Sequence, residues 1–353
     1  MTTTVDWLER TTEDTLDPGL PICDPHHHLW HHPKLAPAPG HRYLLDGLLA
    51  DTGTGPDTGT GPGGGNGHNL VSTVFVECSS MYRANGPDDM KPVGETEFVN
   101  GVAAMSASGT YGQTRVSAGI IGFADLSLGD PVAAVLEAHI AAGGGRFRGV
   151  RHAAGWDPDP GVNNSHTHPP QSLYLDSTFR AGFSQLAPLG LVFDAWLYHP
   201  QIPELTDLAR AFPDTPIVLD HFGGPLGIGP YAGKRDEIFK KWQTDIAELA
   251  TCPNVMVKMG GINMKISGYG WHKRDQPPSS EELATTTAPY YLHCIEHFGA
   301  DRCMFESNFP VDKVTCSYHL LWNAFKRIAA DCSAAEKADL FCGSATRFYR
   351  LDE

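Results

Sequence analysis

The chain has 353 residues, 41% of them hydrophobic, which is enough for one large domain or two ordinary ones. Its 41 acidic against 26 basic residues leave a net charge of -15, which argues against a nucleic-acid partner, because that would call for a basic face. No apolar run approaches the roughly 20 residues of a membrane span, so no membrane partner is expected either.

The N-terminus, "MTTTVDWLERTTEDTLDPGL", lacks a charged-then-apolar signal pattern and points to a cytoplasmic protein. Next comes "CDPHHHLWHHP", residues 23–33, with five histidines in eleven residues. An expression tag would be an uninterrupted run at a terminus, whereas Leu29 and Trp30 break this one inside the chain. If "ICDPHHH" is an extended strand, Asp24, His26 and His28 point one way and Pro25 and His27 the other. Two imidazoles from one strand then reach one ion, at the roughly 2.0 to 2.1 Å typical of zinc and its neighbours. A solvated histidine-rich turn is the plain alternative.

Residues 51–68, "DTGTGPDTGTGPGGGNGH", nearly repeat the unit DTGTGP. With almost nothing to bury, this insertion is expected to be a mobile loop without function. No other segment resembles a linker, so residues 1–353 read as one domain.

Beyond it, short apolar runs alternate with helix-like segments. The runs are "STVFVEC" from Ser72, "VSAGIIGFA" from Val116, "RFRGVRH" from Arg146, "LVFDAWLYH" from Leu191, "PIVLDHFGG" from Pro216, "NVMVKMGG" from Asn254 and "RCMFESNFP" from Arg302. With "PICDPHHH" they make eight. Between them lie amphipathic patterns such as "DPVAAVLEAHIAAG", "PELTDLARAF", "KRDEIFKKWQTDIAELA" and "PYYLHCIEHFG". Several runs are apolar on both faces until a polar residue closes them, as buried parallel strands are. Eight such units fit a (β/α)8 barrel, whose active site forms at the C-terminal strand ends. A doubly wound open sheet would more naturally carry a glycine-rich nucleotide turn after its first strand, where histidines stand here. The eight cysteines form no CxxC and read as reduced thiols.

In a barrel the polar residues that close each run converge. These are His26 and His28; Glu77 with Arg83 beyond it; Arg148, Arg151 and His152; Tyr198 and His199; Asp220 and His221; Lys258; and Glu306, Asn308 and Asp312. Histidine recurs at the tips of strands one, five and six. A single strand-end histidine is usually an ordinary hydrogen-bonding residue, but together they mark a metal centre. Arg151, Arg83 or Lys258 would clamp a substrate carboxylate or stabilise an oxyanion. The structural alternatives are a salt bridge between strands for Arg151 and an outward-facing side chain for Lys258. Glu77 and Tyr198 are further substrate contacts, and Trp30, Trp196, Phe222 and Trp271 lie near the same rim. "GYGWHKRDQPP", residues 268–278, is long enough to form a lid. "NNSHTHPP", residues 163–170, reads mostly as solvated loop.

The motifs "DPHHHLW", "VLDHFGGP" and "MFESNFPVD" resemble the first-strand HxH, sixth-strand DH and eighth-strand G(S/T)DWP patterns of the metal-dependent amidohydrolase superfamily. The resemblance is to its amidohydrolase-2 branch of lactonases and decarboxylases, and it extends over nearly the whole chain. It implies His26, His28, His199 and His221 as ligands of a divalent ion, zinc first and manganese second, and a small-molecule substrate. A homo-oligomer is compatible with it. The family's strand-eight aspartate binds the metal and takes a proton from the attacking water, but "ESNFP" has Asn308 there. A neutral amide cannot be a general base. Glu306 is the expected replacement, since it shares a strand face with Asn308; Asp312 and Glu77 are the other carboxylates in reach, and His221 completes the catalytic set. The expected activity is hydrolysis of a lactone or related cyclic ester by metal-activated water. Metal-dependent decarboxylation of an aromatic or unsaturated acid is the alternative, because it needs no base to activate water. A barrel that has lost catalysis and acts as a binding protein is the third reading.

Overall fold

The computed structural model describes residues 4–35, 40–55 and 67–351. Among the described residues eight parallel strands follow one another around a barrel in chain order. They are β1 (Pro21–His27), β2 (Asn69–Val76), β3 (Arg115–Gly122), β4 (Phe147–Arg151), β5 (Val192–Ala195), β6 (Ile217–Leu219), β7 (Val255–Met259) and β8 (Cys303–Phe305). The first and last strands close the ring just past their ends, where His28 N donates to Phe309 O at 2.8 Å and Asn308 N to His26 O at 3.0 Å. The expected (β/α)8 architecture is therefore present.

A short helix, α1 (Thr4–Leu8), precedes the barrel and α2 (Leu45–Thr52) lies before β2. The layer around the barrel continues with α3 (Val93–Ala107), α4 (Val132–Ala142), α5 (Ser177–Phe183), α6 (Ile202–Ala211), α7 (Arg235–Leu249), α8 (Ser280–Phe298) and α9 (Tyr318–Ile328). Two further helices, α10 (Ala334–Ala338) and α11 (Ser344–Tyr349), end the described chain. Helix α8 begins nine residues before Pro289, where the sequence pattern starts. Its real start is the N-cap Ser279, whose hydroxyl accepts from Glu282 N at 3.1 Å. Of the glycine-rich insertion expected at 51–68, residues 56–66 lie outside the described residues. All eight cysteines are free, and among the described residues no helix is long and apolar enough to cross a membrane.

The strand alternation builds two cores. Residues such as Phe75, Ile120, Val150, Phe193, Ile217 and Val257 pack outward against the helices, in a cluster that also holds Trp242 and Trp322. Inward, Cys23, Val74, Ile121, Val192, Val218 and Met304 form a second cluster, closed from below by Ala345, Tyr349 and Leu351. Two residues further along the strands the inward positions turn charged: Val192 is followed by Asp194, Val218 by Asp220, Met256 by Lys258 and Met304 by Glu306. A period of two thus converts a dry lower layer into an ionic upper layer at the C-terminal mouth.

Candidate active site

The ionic layer is sealed. Glu77, Asp194, Asp220, Lys258, Glu306 and His26 have no exposed surface, and Arg151 and His28 keep only 4%. Buried charges must be paired, and these are. Lys258 Nζ lies 2.6 Å from Asp194 Oδ2 and 3.2 Å from Asp220 Oδ1. Arg151 gives Nε to Glu77 Oε1 at 2.7 Å and Nη2 to the Glu77 carbonyl at 2.6 Å, with Nη1 3.4 Å from Asp220 Oδ2. Burial alone would raise the Glu77 carboxyl, but His166 and Arg151 hold it well below the usual carboxylate range. Asp194 is pushed by burial up to about 6 in spite of Lys258, and its Oδ1 has no hydrogen-bond partner.

The histidines meet above this layer. His26 and His221 have ring centroids 4.5 Å apart, and His28 stands edge-on to His26 at 4.9 Å. Glu306 bridges the first two. His26 Nδ1 lies 2.8 Å from Oε2, and His221 Nδ1 donates to Oε1 at 2.5 Å. By accepting the His221 Nδ1 proton the carboxylate fixes that ring in the tautomer with an Nε2 lone pair, as carboxylates beside metal-binding histidines do; His26 has Lys258 Nζ 3.4 Å from Nδ1 and Arg151 Nη1 3.3 Å from Nε2. Burial, then the nearby Lys258, drives His26 well below the ordinary imidazole range, and burial with Arg151 does the same to His28, so both rings are neutral. His27 points the other way, with Nε2 2.9 Å from Thr73 Oγ1 and its ring against Phe75, as the alternation requires.

Two local features hold His221 in place. The chain leaves β6 through a left-handed turn in which His221 itself has φ 54°. Gly261 lies against its ring at φ +66°, where an added Cβ would fall 2.4 Å from Nδ1.

His26, Asp220 and His221 each offer a ligand atom within 4.8 Å of the others, and all three are buried. Two imidazoles and one carboxylate suit zinc or manganese. The buried carboxylates Glu77, Asp194, Asp220 and Glu306 gather here with Arg151 and Lys258, and Asp220 Oδ1 accepts no hydrogen bond, as a buried oxygen facing an ion would not.

The structure places the other expected site residues less uniformly. His28 stays beside His26 but outside the triad, with Nδ1 2.8 Å from Val76 O. His199 is carried away because the chain leaves β5 into a 3-10 turn, His199–Gln201. There its Nδ1 accepts from Leu226 N at 3.3 Å, and it lines a separate cavity of about 520 Å³ with Asp157, Tyr231 and Lys241. Arg83 is not in the site: its partly exposed guanidinium pairs with Glu97. Tyr198 donates its hydroxyl to Asn163 O and so anchors the loop after β4. Asn308, at φ 54°, gives Nδ2 to Asp312 Oδ1 at 3.2 Å. Burial, together with the nearby Glu306 charge, raises the Asp312 carboxyl well above its usual range.

Other contributions went unread in the sequence. Asp220 sits in the "VLDH" motif yet only the histidine beside it was assigned to metal, and Asp194 is hidden inside an apolar run. His166 comes from the loop expected to be solvated and reaches Glu77 Oε2 at 3.0 Å. Trp196, by contrast, was among the expected rim aromatics, and it stands edge-on to His221 with centroids 4.8 Å apart.

A closed parallel barrel with histidines and carboxylates gathered at its C-terminal mouth has the layout of a barrel enzyme. Comparison makes the assignment specific: the Amidohydrolase family model matches residues 23–351, and the chain belongs to that family. "Uncharacterized protein y4mH" of Sinorhizobium fredii is 33% identical over 94% of this chain and 99% of its own length. An L-fucono-1,5-lactonase of Burkholderia ambifaria is 25% identical over 77% of this chain and 88% of its own. The crystal structure of an amidohydrolase from Burkholderia multivorans with bound zinc superposes with a TM-score of 0.67, at 23% identity, covering 94% of this chain and 99% of that one.

Proposed function

We propose that this chain is a metal-dependent hydrolase of a lactone or related cyclic ester. The observation that carries the reading is the buried centre itself: His26, Asp220 and His221 converge with a ligand atom each within 4.8 Å of the others. These three residues would hold a divalent ion, which supplies Lewis acidity and lowers the pKa of a water toward about 7. The lactone substrate class rests on the L-fucono-1,5-lactonase relative.

The chain's own residues do the rest. Glu306, beneath the rings, keeps His26 and His221 in register. Water adds to the lactone carbonyl, the ring C–O bond breaks, and the released alkoxide takes up a proton, giving the hydroxy acid. Arg151 directs its donors to Glu77, Asp220 and His26, so it acts as a strut of the ionic layer rather than a substrate clamp. His166 and Trp196, at the mouth, are the proposed substrate contacts. One feature favours a second reading, decarboxylation of an aromatic or unsaturated acid: Asn308 stands where a base is expected, and its amide is engaged with Asp312.

The test is a panel of sugar lactones and aromatic acids assayed with zinc and with manganese. Ring opening of a lactone, followed by proton release, is the expected result. Release of carbon dioxide from an aromatic acid, with every lactone untouched, would replace hydrolysis by the second reading.

A further inference from the structure

A second set of metal-ligating side chains lies outside the barrel, near the end of α8. His293, Glu296 and His297 stand at positions i, i+3 and i+4, which puts them on one helix face. Each offers a donor atom within 4.8 Å of the others. The opposite face of this stretch is buried through Tyr290, Tyr291, Cys294 and Phe298, so the triad faces outward, with His293 partly buried and the other two exposed.

Three observations make this more than two histidines on a surface. His293 Nε2 lies 3.0 Å from the carbonyl of Gln243 on α7. Donating there fixes the tautomer and leaves Nδ1 with its lone pair, which is the outer-shell bond typical of metal-binding histidines. The rings of His293 and His297 are already 4.3 Å apart, so no large rearrangement is needed to share an ion. Helix α8 ends at Phe298, and the last turn of a helix carries unpaired carbonyls and partial negative charge, which favours a cation.

We propose that His293, Glu296 and His297 bind a divalent transition-metal ion at a second site, independent of the barrel centre. Two imidazoles and one carboxylate select a borderline ion, with copper(II) bound more tightly than zinc and with calcium and magnesium rejected. Water fills the remaining positions, so the site is weaker than an enclosed one. An ion bound there ties the final turn of α8 in its helical form and stabilises the folded chain.

The test uses the full chain, purified without a histidine tag and stripped with chelator, titrated calorimetrically with zinc chloride and with copper(II) chloride. Besides any ion taken up by the barrel, the wild type is expected to bind one further equivalent of either. His297→Ala loses that equivalent or binds it at least tenfold more weakly, and Glu296→Gln weakens it less. Both variants keep the catalytic activity of the wild type. Zinc added to the stripped protein raises the melting temperature, and the part of that rise due to this site disappears in His297→Ala. His221→Ala leaves the outer equivalent in place, so failure of the barrel centre is read separately. Titration curves of His297→Ala that superpose on those of the wild type would overturn the proposal.

Discussion

Glu306 is the residue on which the candidate site turns, because each of its oxygens meets an imidazole Nδ1. Glu306→Gln replaces one of those acceptors by a donor and leaves one ring facing an N–H. Loss of such a second contact typically costs 10 to 100-fold in metal affinity, and that loss is expected in competition with a chelator; unchanged affinity would show that the rings are held otherwise. Asp24 carries a different kind of strain. Burial raises its carboxyl to about 6, against hydrogen bonds from Ser307 and Tyr318. Between its unfolded value of 3.8 and that folded value the native chain keeps a proton the unfolded chain has released. The contribution to stability is therefore greatest below pH of about 4 and falls as the pH rises to about 6, by on the order of 3 kcal/mol in total. Asp24→Asn is expected to flatten this part of the stability profile in thermal melts between pH 4 and 7, and an unchanged slope would contradict the assignment.

The strands explain which parts of the site were legible in the sequence. Glu77, Arg151, His26, His221 and Glu306 close apolar runs, and closing a run in a parallel barrel places a residue at the catalytic mouth. Lys258 and Asp194 lie where both strand faces are buried, so hydrophobicity alone does not separate inward from outward; the charged layer becomes visible only once the strands are aligned. Arg83 and His199 lie past the last paired residue, where alternation no longer governs direction and loop geometry took them elsewhere. The same limit concealed the role of Gly261, whose φ of +66° and contact with His221 are tertiary facts. Gly261→Ala is expected to cost about 1 to 3 kcal/mol of stability and to weaken metal binding together with it, because the new methyl displaces the His221 ring. A variant with wild-type metal affinity would show that the ring position is set elsewhere.

At the scale of the molecule, the N-terminal segment is fastened over the stretch expected to be a lid. Trp7 Nε1 donates to Arg274 O at 2.9 Å, Arg10 Nη1 to Asp275 O at 2.7 Å and Thr11 Oγ1 to Pro277 O at 2.9 Å. Glu13 continues the strap onto Ser280 at the start of α8, and Asn323 and Lys326 of α9 hold the chain from Asp14 to Asp17. Residues far apart in sequence are thus tied together, and the buried carboxylates and imidazoles at the C-terminal strand ends form the candidate centre. The most direct test of that centre is the metal content of the tag-free chain by elemental mass spectrometry. It is best made in a His297→Ala background, so that the outer cluster does not contribute, with His26→Ala or His221→Ala added in turn. Close to one equivalent of zinc or manganese, lost when either histidine is removed, is the expected result. No metal even after supplementation, or an equivalent indifferent to both substitutions, would contradict the metal-dependent account.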